Sequence, residues 1–368
     1  RPPLIMLKRS FRHYNSRMSL RTTCIGAYPK PDYIRNVNWG ETRSVSAREA
    51  KTREFTYTLT HPDWVSDEAC DRATREAVVD QVNCGVNIPT DGEQRRENYI
   101  HYHCRHLEGI DFDQLTRKVH RYGAAVAYLP TIIGTVVPKG HNFLNRDFSI
   151  AQSCTDNPIK LTVPGPLTII DTTANSYYED DRTLAFDLAD AINFEIRALA
   201  DAGCKYIQVD EPLFARNVSR ALEFGVECLE RCFDGLPHDV ERVMHMCCGY
   251  PGYLDDEAYE KADPDCYASL AKALDDSSVD SISIEDAHRH NDLGLLERFS
   301  KSTVILGSVA IATSRVETVE EISNRIAAAL NHIDRTRLVA APDCGLAMLD
   351  RRLAMKKLRN MCEAARSV

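Results

Sequence analysis

No apolar run in the 368 residues approaches the roughly 20 that a bilayer-spanning helix requires, so nothing here reads as a helical membrane protein. Excess positive charge is also missing. The net charge is −9, and general nucleic-acid binding needs a basic face that this balance does not supply. The cysteines form no dense framework: thirteen of them, an odd number, lie scattered along a long chain. That excludes a small disulfide-stapled secreted domain and points to free thiols in a reducing, cytoplasmic setting. Tryptophan occurs only as Trp39 and Trp64. Repeats and low-complexity tracts are absent. Acidic residues are missing before Asp32, while the first 21 residues carry Arg1, Lys8, Arg9, Arg12, Arg17 and Arg21. Residues 1–21 are expected to be a basic leader outside the fold, either a transit-like segment or a stretch upstream of a start at Met18.

What is present is alternation. Strand-like runs are expected at Thr22–Gly26, Gly85–Asp91, Thr131–Val137, Ile159–Val163, Lys205–Asp210, Arg242–Cys247, Ser281–Glu285, Thr303–Val309 and Leu338–Ala341. Helical patterns fall between them at Asp67–Asn83, Arg182–Ala202, Arg216–Phe233, Val319–Ile333 and Leu349–Ala365. This order predicts an α/β protein, a single (β/α)8 TIM barrel over residues 22–368 with rim insertions. Nine strands are one too many for that barrel, and the piece around Ala124–Val137 reads as a hairpin excursion. The polar stretches Lys30–His61 and Tyr250–Cys266 read as rim loops.

Potential metal ligands lie at or just past the ends of three of these runs. They are His245 and Cys247, Glu285 after Ser281-Ile282-Ser283-Ile284, and Cys344 after Leu338–Asp343. Residues two apart on a strand face the same way, so His245 and Cys247 point together while Cys248 points elsewhere. In a barrel the strand ends converge on one rim. One imidazole, two thiolates and a carboxylate suit Zn2+, which accepts N, S and O donors tetrahedrally. Taken singly, His245 also reads as a satisfied core histidine. Asp286 could share the role of Glu285, and either acid could pair with Arg289 instead.

Other clusters point to a substrate. Gln208-Val209-Asp210-Glu211-Pro212 delivers two acids to a strand end, and Asp210, on the same face as Gln208, is the better candidate for a substrate ammonium. Glu211 reads either as a cap on the next helix or as a partner of Arg216. Asp91-Gly92-Glu93 brings further acids, with Arg95 and Arg96 close by. The turn Ile25-Gly26-Ala27 offers backbone groups to a carboxylate. His288 and His290 could move protons, although a solvated rim is the plainer reading.

Together these segments resemble the C-terminal catalytic barrel of cobalamin-independent methionine synthases. The resemblance runs from about Thr22 to Arg366. It rests on Ile25-Gly26 with Pro29, Asp91-Gly92-Glu93, Leu161-Thr162, Gly165–Ile169, Gln208–Pro212, His245–Cys247, Ser283–Glu285, Pro342–Leu346 and Asn360-Met361. It implies zinc held by His245, Cys247, Glu285 and Cys344. It implies homocysteine as methyl acceptor, with its amino group on Glu93 and Asp210 and its carboxylate on the backbone of Ile25, Gly26 and Ala27. A free thiol has a pKa of about 8.5, and a zinc ion makes it a thiolate at neutral pH without any redox step.

Departures fall on the methyl-donor half. These 368 residues have no room for the second, N-terminal barrel that full-length family members carry. Ile170-Asp171-Thr172-Thr173 stands where the family sets a tryptophan against folate, and Arg216 stands in place of a carboxylate. Ala310 and Ala312 replace the family's Asp and catalytic His, though Arg315-Val316 is kept. The expected donor is therefore a methylfolate or a methyl-corrinoid, with His288 or His290 standing in for the lost acid. Epoxyalkane:coenzyme M transferases resemble the same barrel. Their substrate has a sulfonate and no amine, which the acids Glu93 and Asp210 would repel. A zinc- or thiol-binding protein without turnover is the third alternative.

Overall fold

The computed structural model describes residues 19–34, 65–120, 125–250, 252–256 and 259–368. Most of the basic leader, both tryptophans and most of the expected loop Lys30–His61 lie outside the described residues.

Seven strands form one parallel sheet. They are β1 (Arg21–Thr22), β4 (Lys160–Pro164), β6 (Tyr206–Asp210), β7 (Glu241–Met246), β8 (Ser281–Ile284), β9 (Thr303–Val309) and β10 (Leu338–Pro342). Their spatial order is β1-β10-β9-β8-β7-β6-β4, so the sheet curls round with β1 and β4 as its ends. Between those ends runs the segment expected as a strand at Gly85–Asp91. It makes one parallel bridge on each side, Thr23 to Ile88 and Thr90 to Lys160.

β4, β8 and β10 are buried along their whole length. That is the signature of parallel strands covered on both faces, and it explains why they read as continuous apolar runs without alternation. Ile25, Val243, Ile305, Val339 and Ala341 form a small separate core cluster, while the much larger apolar core gathers the helices against the sheet. Caps set where the helices begin. Ser66 accepts from Ala69 N–H at the start of Asp67–Cys84, and Thr318 with Glu321 closes a capping box on Val319–Ala329.

The hairpin excursion exists and is larger than expected. β2 (Leu107–His120) and β3 (Ala125–Pro138) form an antiparallel pair, with the two-residue β5 (Ala174–Asn175) alongside β3. β2 was not foreseen: Glu108, Asp111, Asp113 and Gln114 break its apolar pattern, and it makes a strand because β3 offers it a ladder. The continuous helix expected at Arg216–Phe233 is broken. It is built from Pro212–Arg216, Val218–Arg220, a π-turn at Ala221–Gly225 and Val226–Cys232. The side chain of Asn217 accepts from Arg220 N–H and restarts the chain there.

Candidate active site

Strand register sets the site. Asp210 lies opposite His245, and His245 opposite Ser283, so three polar side chains stand in one row across β6, β7 and β8 at their C-terminal ends. Just beyond that edge Cys247 follows β7 and Cys344 follows β10. The ligand atoms of His245, Cys247 and Cys344 all lie within 4.8 Å of one another. They open into a cavity of about 480 Å³, also lined by Ile25, Gly26, Ala27, Glu93, Asp210, Tyr99 and Tyr250.

Second neighbours orient the cluster. His245 Nδ1 is 3.0 Å from Ser283 Oγ, which turns the other ring nitrogen toward the thiols. His245 Nε2 is buried and has no hydrogen-bond partner. A buried unpaired nitrogen is costly, and here it faces two sulfurs. The neighbouring Cys344 thiol and the His245 ring hold the Cys247 thiol well below its ordinary pKa even though burial opposes it. Cys344 is driven the other way by Cys247 and by burial. An imidazole nitrogen beside two thiols is a donor set that fits a tetrahedral cation with a borderline-soft preference.

Glu285 stands apart from this trio. Its Oε1 accepts from Cys248 N–H at 3.1 Å and its Oε2 meets Lys261 Nζ at 2.9 Å. It groups instead with His288 and Asp343, whose ligand atoms lie within 4.8 Å of its own. Asp286, considered above as an alternative, pairs with Arg325 at 2.6 Å and not with Arg289. His288 has no spare ring nitrogen: Nδ1 meets Asp343 Oδ2 at 2.6 Å and Nε2 accepts from Ala312 N–H at 3.0 Å. Its ring thus rests against the backbone of Ala312. His290 is exposed, and neither histidine lines the cavity of the thiol cluster.

The acids at the cavity wall are held individually. Asp210 accepts from Gln208 Nε2 at 2.7 Å, and burial pushes its pKa up to about 7. Glu93 sits at φ 55° and accepts from Thr162 Oγ1 at 2.7 Å. Arg96 Nη1 lies 3.2 Å from the same Glu93 oxygen, and Arg96 also donates to Thr162 Oγ1 and O. In the turn between them Ile25 O accepts from Gln208 and Ala27 O from Leu346, leaving the Gly26 and Ala27 N–H groups without a partner among the described residues.

Glu211 corrects an expectation. It neither caps the following helix nor pairs with Arg216; its two oxygens accept from the N–H groups of Leu167 and Thr168 and from Thr168 Oγ1. It thereby caps the helix Pro166–Asp171, which comes earlier in the chain, and only the adjacency of β4 and β6 brings them together. Sequence reasoning gave no role to Ser283 and Arg96 and did not single out Tyr99 or Tyr250. Ser283 could have been found, because it lies two residues before Glu285 on a strand that must neighbour His245.

The geometry can be set beside known proteins. Residues 20–367 match the model of the cobalamin-independent synthase catalytic domain. A methionine synthase from Saccharolobus islandicus is 32% identical over 358 residues, covering 95% of each chain. A methionine synthase from Sulfurisphaera tokodaii is 31% identical over 356 residues, covering 95% of this chain and 92% of the relative. The solved structure of a B12-independent methionine synthase from Shewanella sp. W3-18-1, in complex with selenomethionine, superposes with a TM-score of 0.78. The identity there is 28%, over 94% of this chain and 97% of that one. The chain belongs to the cobalamin-independent methionine synthase family. It is thus an S-methyltransferase by family, and it spans nearly the whole length of these relatives. A methyltransferase from Methanosarcina mazei, with a TM-score of 0.57 and 12% identity, shares the fold alone.

The positions singled out above as departures fall at two different cavities. Asp171, Thr172 and Arg216 line the cavity with the thiol cluster. Ala310 and Ala312 border a separate cavity of about 670 Å³ that also contains His288.

Proposed function

We propose that this chain transfers a methyl group to the thiol of homocysteine, giving methionine, with Zn2+ held by His245, Cys247 and Cys344 and with Glu285 as the exchangeable fourth ligand. The observation that carries the reading is the buried, unpartnered Nε2 of His245 beside two thiols. Zinc bound there would act as a Lewis acid that keeps the substrate sulfur deprotonated and oriented. We also read the curled sheet as a closed (β/α)8 barrel, because the bridges at Ile88 and Thr90 supply an eighth stave between β1 and β4.

The chain's own residues do the rest. Ser283 fixes the His245 ring so that Nε2 faces the site. Asp210 and Glu93, which line the same cavity, suit the ammonium of an amino acid; a substrate cation there would favour the ionised form of Asp210 against the cost of burial. The free N–H groups of Gly26 and Ala27 suit its carboxylate. This recognition of an amine favours homocysteine over a sulfonated thiol. Arg216 and Asp171, which line the same cavity, are assigned to the methyl donor, a methylfolate or a methyl-corrinoid. His288 is held between Asp343 and Ala312, so a proton-transfer role would require it to release one of those bonds.

The test is metal analysis of the purified protein together with homocysteine methylation, offering methyltetrahydrofolate, its polyglutamate and methylcobalamin separately. One zinc per chain and methionine from at least one donor is the expected result. Turnover only with methylcobalamin would assign the altered wall to a corrinoid donor. Zinc without methionine from any donor would sink the homocysteine assignment and favour another thiol.

A further inference from the structure

Both carboxylate oxygens of Glu285 are occupied away from the thiol cluster. Oε1 takes the N–H of Cys248, the residue after Cys247, and Oε2 takes Lys261 Nζ at 2.9 Å. The pair is enclosed: the side chains are 4% and 14% exposed. Lys261 is steadied in turn by the ring of Tyr259, 4.5 Å beneath its ammonium. A carboxylate that only served as a permanent ligand would need no such seat. An exchangeable one needs it, because leaving the metal would otherwise strand an unpaired charge in a buried place.

We infer that Lys261 is a positioning residue that competes with the metal for Glu285, giving the carboxylate a built resting place and so clearing a coordination position for the substrate thiol. This rests on the reading of Glu285 as the fourth ligand. The lysine makes metal binding weaker than the four donors alone would allow. It also makes thiol entry easier, since the displaced Glu285 exchanges one cationic partner for another.

Lys261→Met removes the competitor and keeps the stem. Zinc affinity, measured by competition with a chromophoric chelator at one pH, is expected to tighten on the order of tenfold, the equilibrium weight of one charge-assisted hydrogen bond. Homocysteine binding to the zinc-loaded variant, followed by calorimetry, is expected to weaken by a similar factor. Lys261→Arg, which keeps the cation, should restore both values to near wild type. A purely structural role for Lys261 would weaken or leave unchanged the zinc affinity and would overturn the inference. If Lys261→Met does not fold, Lys261→Gln carries the test, with a smaller shift in the same direction; no shift there overturns it equally. Glu285→Ala separates the two layers. Weaker zinc in Glu285→Ala with no tightening in the lysine variants refutes the competition while keeping the ligand. Unchanged zinc in Glu285→Ala refutes the ligand reading itself.

Discussion

Gly26 lacks a side chain because the Glu93 carboxylate fills that space: a Cβ there would stand 2.4 Å from Oε1. The close approach sets Glu93 against the turn that lines the cavity, so the acid and the turn are positioned as one unit. Gly26→Ala should push Glu93 off its bond to Thr162 and raise KM for homocysteine, with zinc content unchanged by metal analysis. A variant that lost zinc would show that the turn supports the metal side as well. Asp210→Asn tests the other acid. Its zinc should stay bound and its KM for homocysteine should rise about tenfold, the weight of one charged hydrogen bond. An equal effect on a thiol substrate without an amine would remove Asp210 from ammonium recognition.

At the scale of elements, the cap that Glu211 places on Pro166–Asp171 links β4 and β6 through a fully buried carboxylate. Gly165 is required beside it, since a Cβ there would fall 2.2 Å from Glu211 Oε1. Burial pushes the Glu211 pKa up to about 8, although Thr168 and the Leu167 N–H oppose the shift. The sign of the pH dependence follows. From an ordinary value of 4.5 up to about 8, the folded chain keeps a proton that the unfolded chain has released. Stability attributable to this group therefore falls as pH rises through that window. Urea unfolding at pH 5 and pH 8 should show a smaller pH dependence in Glu211→Gln than in the wild type. An identical slope in both would mean that Glu211 is not the group responsible. The broken run from Pro212 to Cys232 belongs to the same scale: an N-terminal turn that must follow Glu211, and Asn217 as a cap, interrupt a pattern that reads as one helix.

Across the whole molecule the proposed metal site would tie together strands far apart in sequence, β7 and β10, through Cys247 and Cys344. A ligand that binds only the folded chain stabilises it by mass action. Zinc at roughly a hundredfold excess over its Kd should therefore add about 2.7 kcal/mol and raise Tm by several degrees, and a chelator should reverse the gain. Cys344→Ser should lower zinc content and abolish most of that shift in a thermal melt. Full zinc content and an undiminished shift would exclude Cys344 as a ligand. All thirteen cysteines are free, which keeps the thiols of the site available as ligands.

Much of this was determined by the sequence alone, because parallel strands buried on both faces are written as uninterrupted apolar runs and a charged or ligating residue at their ends has no packing reason to be there. That His245, Cys247, Cys344, Glu93 and Asp210 gather around one cavity was legible in that way, and so was the hairpin excursion. Only the tertiary structure decided where each polar side chain found its partner. Glu285 turns to Lys261, Glu211 reaches an earlier helix, and His288 is spent on Asp343 and Ala312. Those choices depend on which strands are neighbours and on the rotamers that burial permits. A one-dimensional pattern delivers a residue to the rim, but the competition among buried charges for partners is settled only in space.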